Sequence, residues 1–448
     1  MRLSFTARPP RATTAHAAGP RRRRLRAVRA VAVAAVMVPV GAALLGAAAD
    51  PQGGLWYYND SGMDTIHKST TGAGVTIAVL DTPLNPNAPD LAGLDITSAG
   101  ACATKDGGPA LPSTGTDVSA QHATGMISLI IGTGAGVPGQ PGVKGVAPGA
   151  KVHHYSTVMN QDADACHFAD TVLDGSSTLM DAIHDGARIV SMSFGSAAPT
   201  SQVPVEDIPA ALASGTILVA ATPNHADAAP QAPGAFNGVV SVAPIGPDGS
   251  RTDFASSSPH LGVLAPGEQI LTPVANDNWT RYGLAEGSSH AAAYTSAALA
   301  LVWSAFPKAT PNQILQSLAI NTGAADHPLT HDAEHGYGIV NVRHMLEHDP
   351  TQYPDVNPFL WDDPGEFGPT KAEVLAAAGT PTGPATSSPD PSPTSSATTP
   401  ADGTPGTSST PSHLLGLGAV MLVLVAVVVL VVVLLVRRRS GAVPGRAS

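Results

Sequence analysis

The feature that most constrains the fold is an alternation of short apolar runs with helical stretches between about residues 50 and 350. The apolar runs, rich in β-branched residues, are Val75–Leu80, Val152–Val158, Ile189–Phe194, Ile217–Ala221 and Val239–Val242. Helical patterns cover Thr124–Ile131, Ser177–Gly186, Val205–Ser214 and Ala291–Phe306. Buried strands alternating with helices predict an α/β domain whose mostly parallel central sheet is covered by helices on both faces.

Three residues of this region stand where a parallel sheet presents its functional groups. Asp81 ends the first apolar run, His122 precedes an apolar helix, and Ser289 opens a long one. Ligands of such sheets bind beyond the carboxyl ends of the strands. Each residue alone fits an ordinary role: a turn, a surface residue or a helix cap. Together they offer a carboxylate, a general base and a hydroxyl nucleophile.

Residues beside the triad sharpen this prediction. Asn224 follows a buried strand, where its amide is either a turn residue or a donor to a developing oxyanion. Ser288 is an alternative cap or nucleophile beside Ser289. His290 is not expected to be the base, because consecutive helical residues do not face each other.

Taken together, the motifs resemble the subtilisin-like serine protease (subtilase) family. That family places Asp-Thr/Ser-Gly after the first strand, His-Gly-Thr at a helix start, an Asn after a central strand and Gly-Thr-Ser-Met-Ala at a second helix start. The matching segments are Asp81-Thr82, His122-Ala123-Thr124, Asn224 and Gly287-Ser288-Ser289-His290-Ala291. Further similar segments are 145–150, 190–195 and 336–341, so the likeness runs from about residue 74 to 347.

The resemblance implies a three-layer subtilisin-like fold and a serine endopeptidase. It assigns Asp81, His122 and Ser289 to catalysis and Asn224 to the oxyanion. It also implies that an extended peptide or protein substrate pairs with Ser193, Phe194 and Gly195. No cofactor and no metal ligand are expected.

Four positions depart from the family pattern. Ala123 and Ala293 replace a Gly and a Pro, which are mild changes, whereas Pro83 and Pro223 replace Gly. Proline fixes φ and removes an N–H, so Pro223 could tilt Asn224. These changes keep open an alternative, a weak or inactive subtilase that is a structural subunit of a membrane secretion complex. A cell-wall binding module is a third, less favoured hypothesis.

The two ends of the chain predict export and anchoring. Residues 1–49 hold nine Arg and no acidic residue. Within this segment the arginines precede an apolar run and then small residues that could form a cleavage site, as in a signal peptide. An uncleaved anchor is the alternative. Residues 414–436 are 23 uncharged residues followed by three Arg, which predicts one transmembrane helix with a cytoplasmic tail at 437–448. Removal of that tail, as in a lipid-anchored protein, is the other interpretation.

The segments between these ends complete the predicted organisation. An N-terminal arm (50–73) precedes the catalytic domain (74–350), and an acidic, aromatic extension (351–379) follows it. A Pro/Ser/Thr-rich linker (380–413) cannot bury enough apolar surface to fold and is predicted to be a tether.

Charge and cysteine content suit an exported domain. Between the two basic ends, ten Lys and Arg face 34 Asp and Glu, a formal charge of −24 that argues against nucleic-acid binding. Cys102 and Cys166, the two cysteines, are expected to form a disulfide outside the cytoplasm.

The whole arrangement is similar to that of the mycosins, membrane-anchored subtilases of actinobacterial type VII secretion. The 25 residues from Asp50 to Gly74 are too few for a folding prodomain. The resemblance therefore implies an arm, including Trp56-Tyr57-Tyr58, that packs on the catalytic domain. It places that domain outside the cell and offers a type VII secretion membrane complex as a partner.

Overall fold

The computed structural model describes residues 53–99, 112–157, 177–200, 203–365 and 368–379. The strands are β1 (Thr76–Asp81), β2 (Ile96–Ala99), β3 (Lys151–Ser156), β4 (Ile189–Met192), β5 (Ile217–Ala221), β6 (Val240–Ile245), β7 (Leu261–Pro266), β8 (Ile270–Val274) and β9 (Arg281–Ala285). The helices are α1 (Trp56–Asn59), α2 (Met63–Ile66), α3 (Gln121–Ile131), α4 (Thr178–His184), α5 (Ile208–Ala213), α6 (Ser288–Ala305), α7 (Pro311–Ile320), α8 (Val342–Glu347) and α9 (Lys371–Ala378). Short 3₁₀ turns occupy Gly53–Leu55, Val118–Ala120, Val205–Asp207 and Pro350–Gln352.

Seven strands form one sheet in the order β2-β3-β1-β4-β5-β6-β7, and every neighbouring pair is parallel. This confirms the predicted parallel sheet. Strands β8 and β9 form a separate antiparallel pair. Because β1 lies between β3 and β4, its last residue, Asp81, reaches the carboxyl edge of the sheet near its middle. That edge is where the site is expected.

Both faces of the sheet are covered, and alternate residues of each strand face opposite layers. Ile77 and Val79 belong to the core that also contains the buried residues of α3 and α6. Ala78 and Leu80, between and beside them, belong to a second core with residues of α4 and α5. This period of two on fully buried strands produces the three layers.

Element boundaries differ from the predictions for local chemical reasons. Helix α3 begins at Gln121 instead of Thr124, because the 3₁₀ turn at Val118–Ala120, capped by Asp117, leads directly into it. Helix α5 begins at Ile208 after a 3₁₀ turn, with Pro209 in the first turn where its missing N–H costs nothing. Apolar periodicity alone does not reveal either boundary.

The part of the N-terminal arm that the structure describes packs on the domain. The Tyr57 ring is fully buried and its hydroxyl donates to the Lys144 carbonyl at 2.7 Å. The Trp56 indole N–H donates to the Glu268 carbonyl at 2.9 Å. The arm therefore contributes side chains to the core, as its aromatic residues suggested.

The C-terminal extension also lies against the domain. Trp361 stacks on Tyr337 with ring centroids 5.9 Å apart, and its backbone N–H donates to the Asn237 side chain at 2.8 Å. Phe359 is fully buried. Among the described residues, no helix is long and apolar enough to cross a membrane. Outside those residues lie the predicted signal peptide (1–49), the whole linker (380–413), the predicted transmembrane helix (414–436), the basic tail (437–448), Cys102 and Cys166.

Candidate active site

Asp81 anchors the site at the end of β1. It is buried, and its Oδ1 accepts hydrogen bonds at 2.7 Å from the Thr82 backbone N–H and from the His122 ring. Its Oδ2 is buried without a hydrogen-bond partner among the described residues. The carboxylate thus acts through Oδ1, which fixes the ring that faces it.

His122 lies in the first turn of α3, so the helix holds its backbone. Its Nδ1 is 2.7 Å from Asp81 Oδ1, and 40% of its side chain stays exposed. A carboxylate only accepts, so Nδ1 carries the proton and Nε2 has the free lone pair. Burial lowers the pKa of His122, but the charge of Asp81 and the hydrogen bond to it outweigh burial and raise the pKa above 6.5.

Ser289 lies in the first turn of α6. Its hydroxyl donates to the Ser193 carbonyl at 3.0 Å, and the Ser193 hydroxyl donates to the Ser289 carbonyl at 2.9 Å. Within the described part of the chain, Ser289 makes no hydrogen bond with His122. Catalytic hydrogen bonds are often long or misaligned before substrate binds, so this rotamer is compatible with a nucleophilic role for Ser289.

Asn224 is positioned by the start of the same helix. Its side-chain oxygen accepts from the Ser288 backbone N–H at 2.8 Å, which leaves its NH₂ group free. The Ser288 hydroxyl is buried and donates to the Thr222 carbonyl at 2.5 Å. Ser288 therefore has a structural role, while Asn224 and the Ser289 backbone N–H can face a developing oxyanion. Pro223 leaves this contact intact.

Ser193, Phe194 and Gly195 follow directly after β4, which ends at Met192 and not at Phe194 as predicted. Their position beside Ser289 is fixed by the paired hydrogen bonds between Ser193 and Ser289. These three residues lie outside any helix or strand, so a peptide could pair with their backbone groups once the Ser289 hydroxyl leaves the Ser193 carbonyl.

Two histidines next to the triad were given no role by the sequence. His154 on β3 lies 2.8 Å from the Thr82 carbonyl through Nε2, which holds the backbone next to Asp81. His290, directly after Ser289, is buried and neither ring nitrogen has a hydrogen-bond partner among the described residues. Burial, and then the charge of nearby His122, lower the pKa of His290 to about 3. Both rings are neutral, and burial inside a strand or helix is the signal that could have marked them.

The hydroxyl of Thr82 adds a further positioning contact, since it accepts from the Ala123 backbone N–H at 3.1 Å. This bond joins the end of β1 to the start of α3. Asp81 and His122 stay in contact although Pro83 and Ala123 replace glycines. Chemically, the arrangement can deprotonate a hydroxyl and stabilise a tetrahedral oxyanion.

Comparison with known proteins gives evidence on the family and the fold of the chain. A family model described as the subtilase family matches residues 72–338. The intracellular serine protease of Paenibacillus polymyxa is 28% identical over 242 residues, which are 53% of this chain and 69% of that protein. The major intracellular serine protease of Bacillus subtilis (strain 168) is 27% identical over 240 residues, 52% of this chain and 70% of its own.

Solved structures show the same fold. The MycP3 protease from the type VII (ESX-3) secretion system superposes with a TM-score of 0.52 at 22% identity, covering 66% of this chain and 89% of that one. MycP1 from Mycobacterium smegmatis gives 0.50 at 20% identity, covering 68% and 86%. At these identities the likeness concerns the fold alone.

Proposed function

The chain belongs to the subtilase family of serine endopeptidases, and from that premise we propose that it cleaves extracytoplasmic proteins through Asp81, His122 and Ser289. The observation that carries the proposal is the 2.7 Å contact between His122 Nδ1 and Asp81 Oδ1. This contact gives the ring one tautomer, with Nε2 available to a nucleophile. A helix start that carries Ser289 and is held by Asn224 supports the assignment.

The proposed mechanism begins when the Ser289 hydroxyl leaves the Ser193 carbonyl and turns to His122. Its oxygen attacks the scissile carbonyl carbon while Nε2 of His122 takes the proton, and Asp81 stabilises the imidazolium. The carbonyl oxygen becomes an oxyanion, which the Asn224 side-chain N–H and the Ser289 backbone N–H stabilise.

Collapse of this intermediate breaks the peptide bond. His122 returns the proton to the leaving amine, and an ester joins Ser289 to the acyl half of the substrate. A water molecule then gives a proton to His122 and attacks the ester. Release of the acid restores the Ser289 hydroxyl, so protons and electrons balance over the cycle.

A fluorophosphonate probe on the full-length chain tests this assignment. We expect labelling of the wild type and none of Ser289→Ala. Ser288→Ala is the matched control, because the Ser288 hydroxyl is buried against Thr222 and should not react. Labelling that survives Ser289→Ala, or that requires Ser288, contradicts the assigned nucleophile.

We also propose that the catalytic domain acts outside the membrane. The predicted signal peptide, tether and helix at 414–436 support a single-pass protein with a cytoplasmic tail, and the predicted Cys102–Cys166 disulfide suits that side. Exogenous proteinase should reach the catalytic domain of intact cells or spheroplasts but not an epitope placed after Ser448. An inaccessible catalytic domain contradicts this orientation.

A role in type VII secretion is supported by the architecture and by the fold shared with MycP1 and MycP3. One observation favours the alternative of a structural subunit: the Ser289 hydroxyl bonds Ser193 instead of His122. Complementation separates the two. If Ser289→Ala restores secretion fully in a deletion strain, the structural role is the essential one, whereas failure of this variant assigns the essential role to proteolysis.

A further inference from the structure

Three side chains far along the chain from the triad converge on one point. Asp326 lies in the loop after α7, His344 is in α8, and His348 follows α8 directly. Asp326 Oδ1 is 2.9 Å from Nε2 of His344 and 3.7 Å from Nε2 of His348. All three potential ligand atoms lie within 4.8 Å of one another, the only such group found in the described ranges.

The tautomer of His348 makes this convergence unusual. Its Nδ1 is 3.0 Å from the His344 carbonyl oxygen, which can only accept, so Nδ1 carries the proton. In the neutral ring, the lone pair of Nε2 then faces a carboxylate oxygen with no hydrogen between them. Two such groups attract each other only when a proton or a metal cation lies between them.

The hydrogen bond from His348 Nδ1 to the His344 carbonyl is of the kind that metal-binding histidines usually make. A ligating imidazole donates its other N–H to a backbone carbonyl or carboxylate, which fixes the orientation of the ring. With 85% of its side chain exposed, Asp326 also leaves room for water.

We propose that Asp326, His344 and His348 bind a divalent transition-metal ion, for which Zn²⁺ is the best chemical match. Imidazole and carboxylate ligands suit Zn²⁺, whereas Ca²⁺ and Mg²⁺ require more oxygen ligands than one carboxylate supplies. Tetrahedral Zn²⁺ with bonds near 2.0–2.1 Å separates its ligand atoms by about 3.3 Å. The observed 2.9 and 3.7 Å bracket that separation, so small side-chain shifts complete the site.

The site has three protein ligands and an open position for water. To ligate through Nε2, His344 must carry its proton on Nδ1, which is buried without a partner among the described residues. This cost makes binding weaker than at a closed four-ligand structural site. The metal joins the Asp326 loop to α8, and its expected effect is on stability, not on the triad.

Metal titration of the full-length chain, freed of metal with EDTA, tests the proposal. We expect one Zn²⁺ per chain by calorimetry, and visible absorption from tetrahedral Co²⁺ at the same stoichiometry. Asp326→Asn and His348→Gln should each lower the affinity at least tenfold, since each removes a ligand. Both residues are partly or largely exposed, so these variants should fold, unlike substitutions of buried His344.

Asp332→Asn is the matched control. Asp332 and His335 form an exposed carboxylate–imidazole contact of 3.1 Å, and no third His, Cys, Asp or Glu among the residues that the structure describes joins them. This variant should bind Zn²⁺ like the wild type, and saturating Zn²⁺ should raise the thermal midpoint of both but not of Asp326→Asn. The proposal is overturned if Zn²⁺ does not bind, if all variants bind alike, or if Ca²⁺ binds this site in preference.

Discussion

Replacing Asn224 by Ala removes two interactions, which involve different atoms of the side chain. The side-chain oxygen accepts from the Ser288 N–H at 2.8 Å, and the NH₂ group is free to donate to an oxyanion. The first interaction exists in the resting enzyme, while the second forms only in the transition state. The two should therefore be measurable in different experiments.

The expected magnitudes differ accordingly. An ordinary hydrogen bond contributes about 0.5–1.5 kcal/mol to stability, so the free energy of unfolding should fall by about that amount or less. A preorganised oxyanion donor contributes about 2.7–4 kcal/mol, or about 10²–10³ in kcat. Asn224→Ala should lower kcat by that factor and leave KM nearly unchanged.

Asn224→Asp is the control that separates the two effects. It keeps an oxygen acceptor for the Ser288 N–H and removes the donor, so stability should be retained while kcat falls at least as far as in Asn224→Ala. Initial rates on fluorogenic peptide amides, normalised by fluorophosphonate titration of active sites, give kcat and KM. Thermal unfolding gives the change in stability.

The reasoning fails if kcat of Asn224→Ala stays within about threefold of the wild type, a difference below about 1 kcal/mol. A rise in KM at unchanged kcat would also refute it, because that pattern identifies a ground-state contact.

Three further predictions follow from buried groups. Asp81 raises the pKa of His122 above 6.5, so kcat/KM should fall as the pH drops through that raised pKa. In Asp81→Asn, this fall in kcat/KM should begin at a lower pH, and the value of kcat/KM at its pH plateau should be lower by about 10⁴-fold. Tyr57→Ala should lower the free energy of unfolding by about 3–5 kcal/mol in denaturant titration, since the ring is fully buried; an effect below 1 kcal/mol would exclude the arm from the core. The pKa of His290 is about 3 in the folded chain, against an ordinary value of 6.5. Between these two pH values the unfolded chain binds a proton at His290 that the folded chain does not bind. The free energy of unfolding should therefore fall as the pH drops from 6.5 toward 3. His290→Met should weaken this dependence and leave stability at neutral pH equal or higher; an unchanged pH slope would show that His290 does not cause it.

The layers of the fold follow from sequence because buried strands and helices leave different periodic patterns. β5 begins and ends where the apolar run predicts, at Ile217 and Ala221. The β8–β9 pair was missed, since Pro273 inside β8 makes the run look unlike a strand.

The sequence predicts which residues form the candidate site, but it does not predict the hydrogen bonds among them. Asp81, His122, Ser289 and Asn224 stand at element ends, a position that local sequence reveals. Which way a hydroxyl points depends on neighbours distant in sequence, as for Ser289 and Ser193. His344 and His348 likewise meet Asp326 only because a loop and a helix end come together in the fold, and the spacing of these residues along the chain does not predict this.

The place of β1 in the sheet governs when the chain can become a protease during its own synthesis. β1 pairs with β3 and β4, both made later, and Ser289 arrives only with α6, more than 200 residues after Asp81. Pairings this distant in sequence form slowly. During synthesis from the N-terminus, Asp81 and His122, the proposed carboxylate and base, are therefore made long before Ser289, the proposed nucleophile. Proteolytic activity is acquired late in biogenesis, when most of the domain is already available to fold around it.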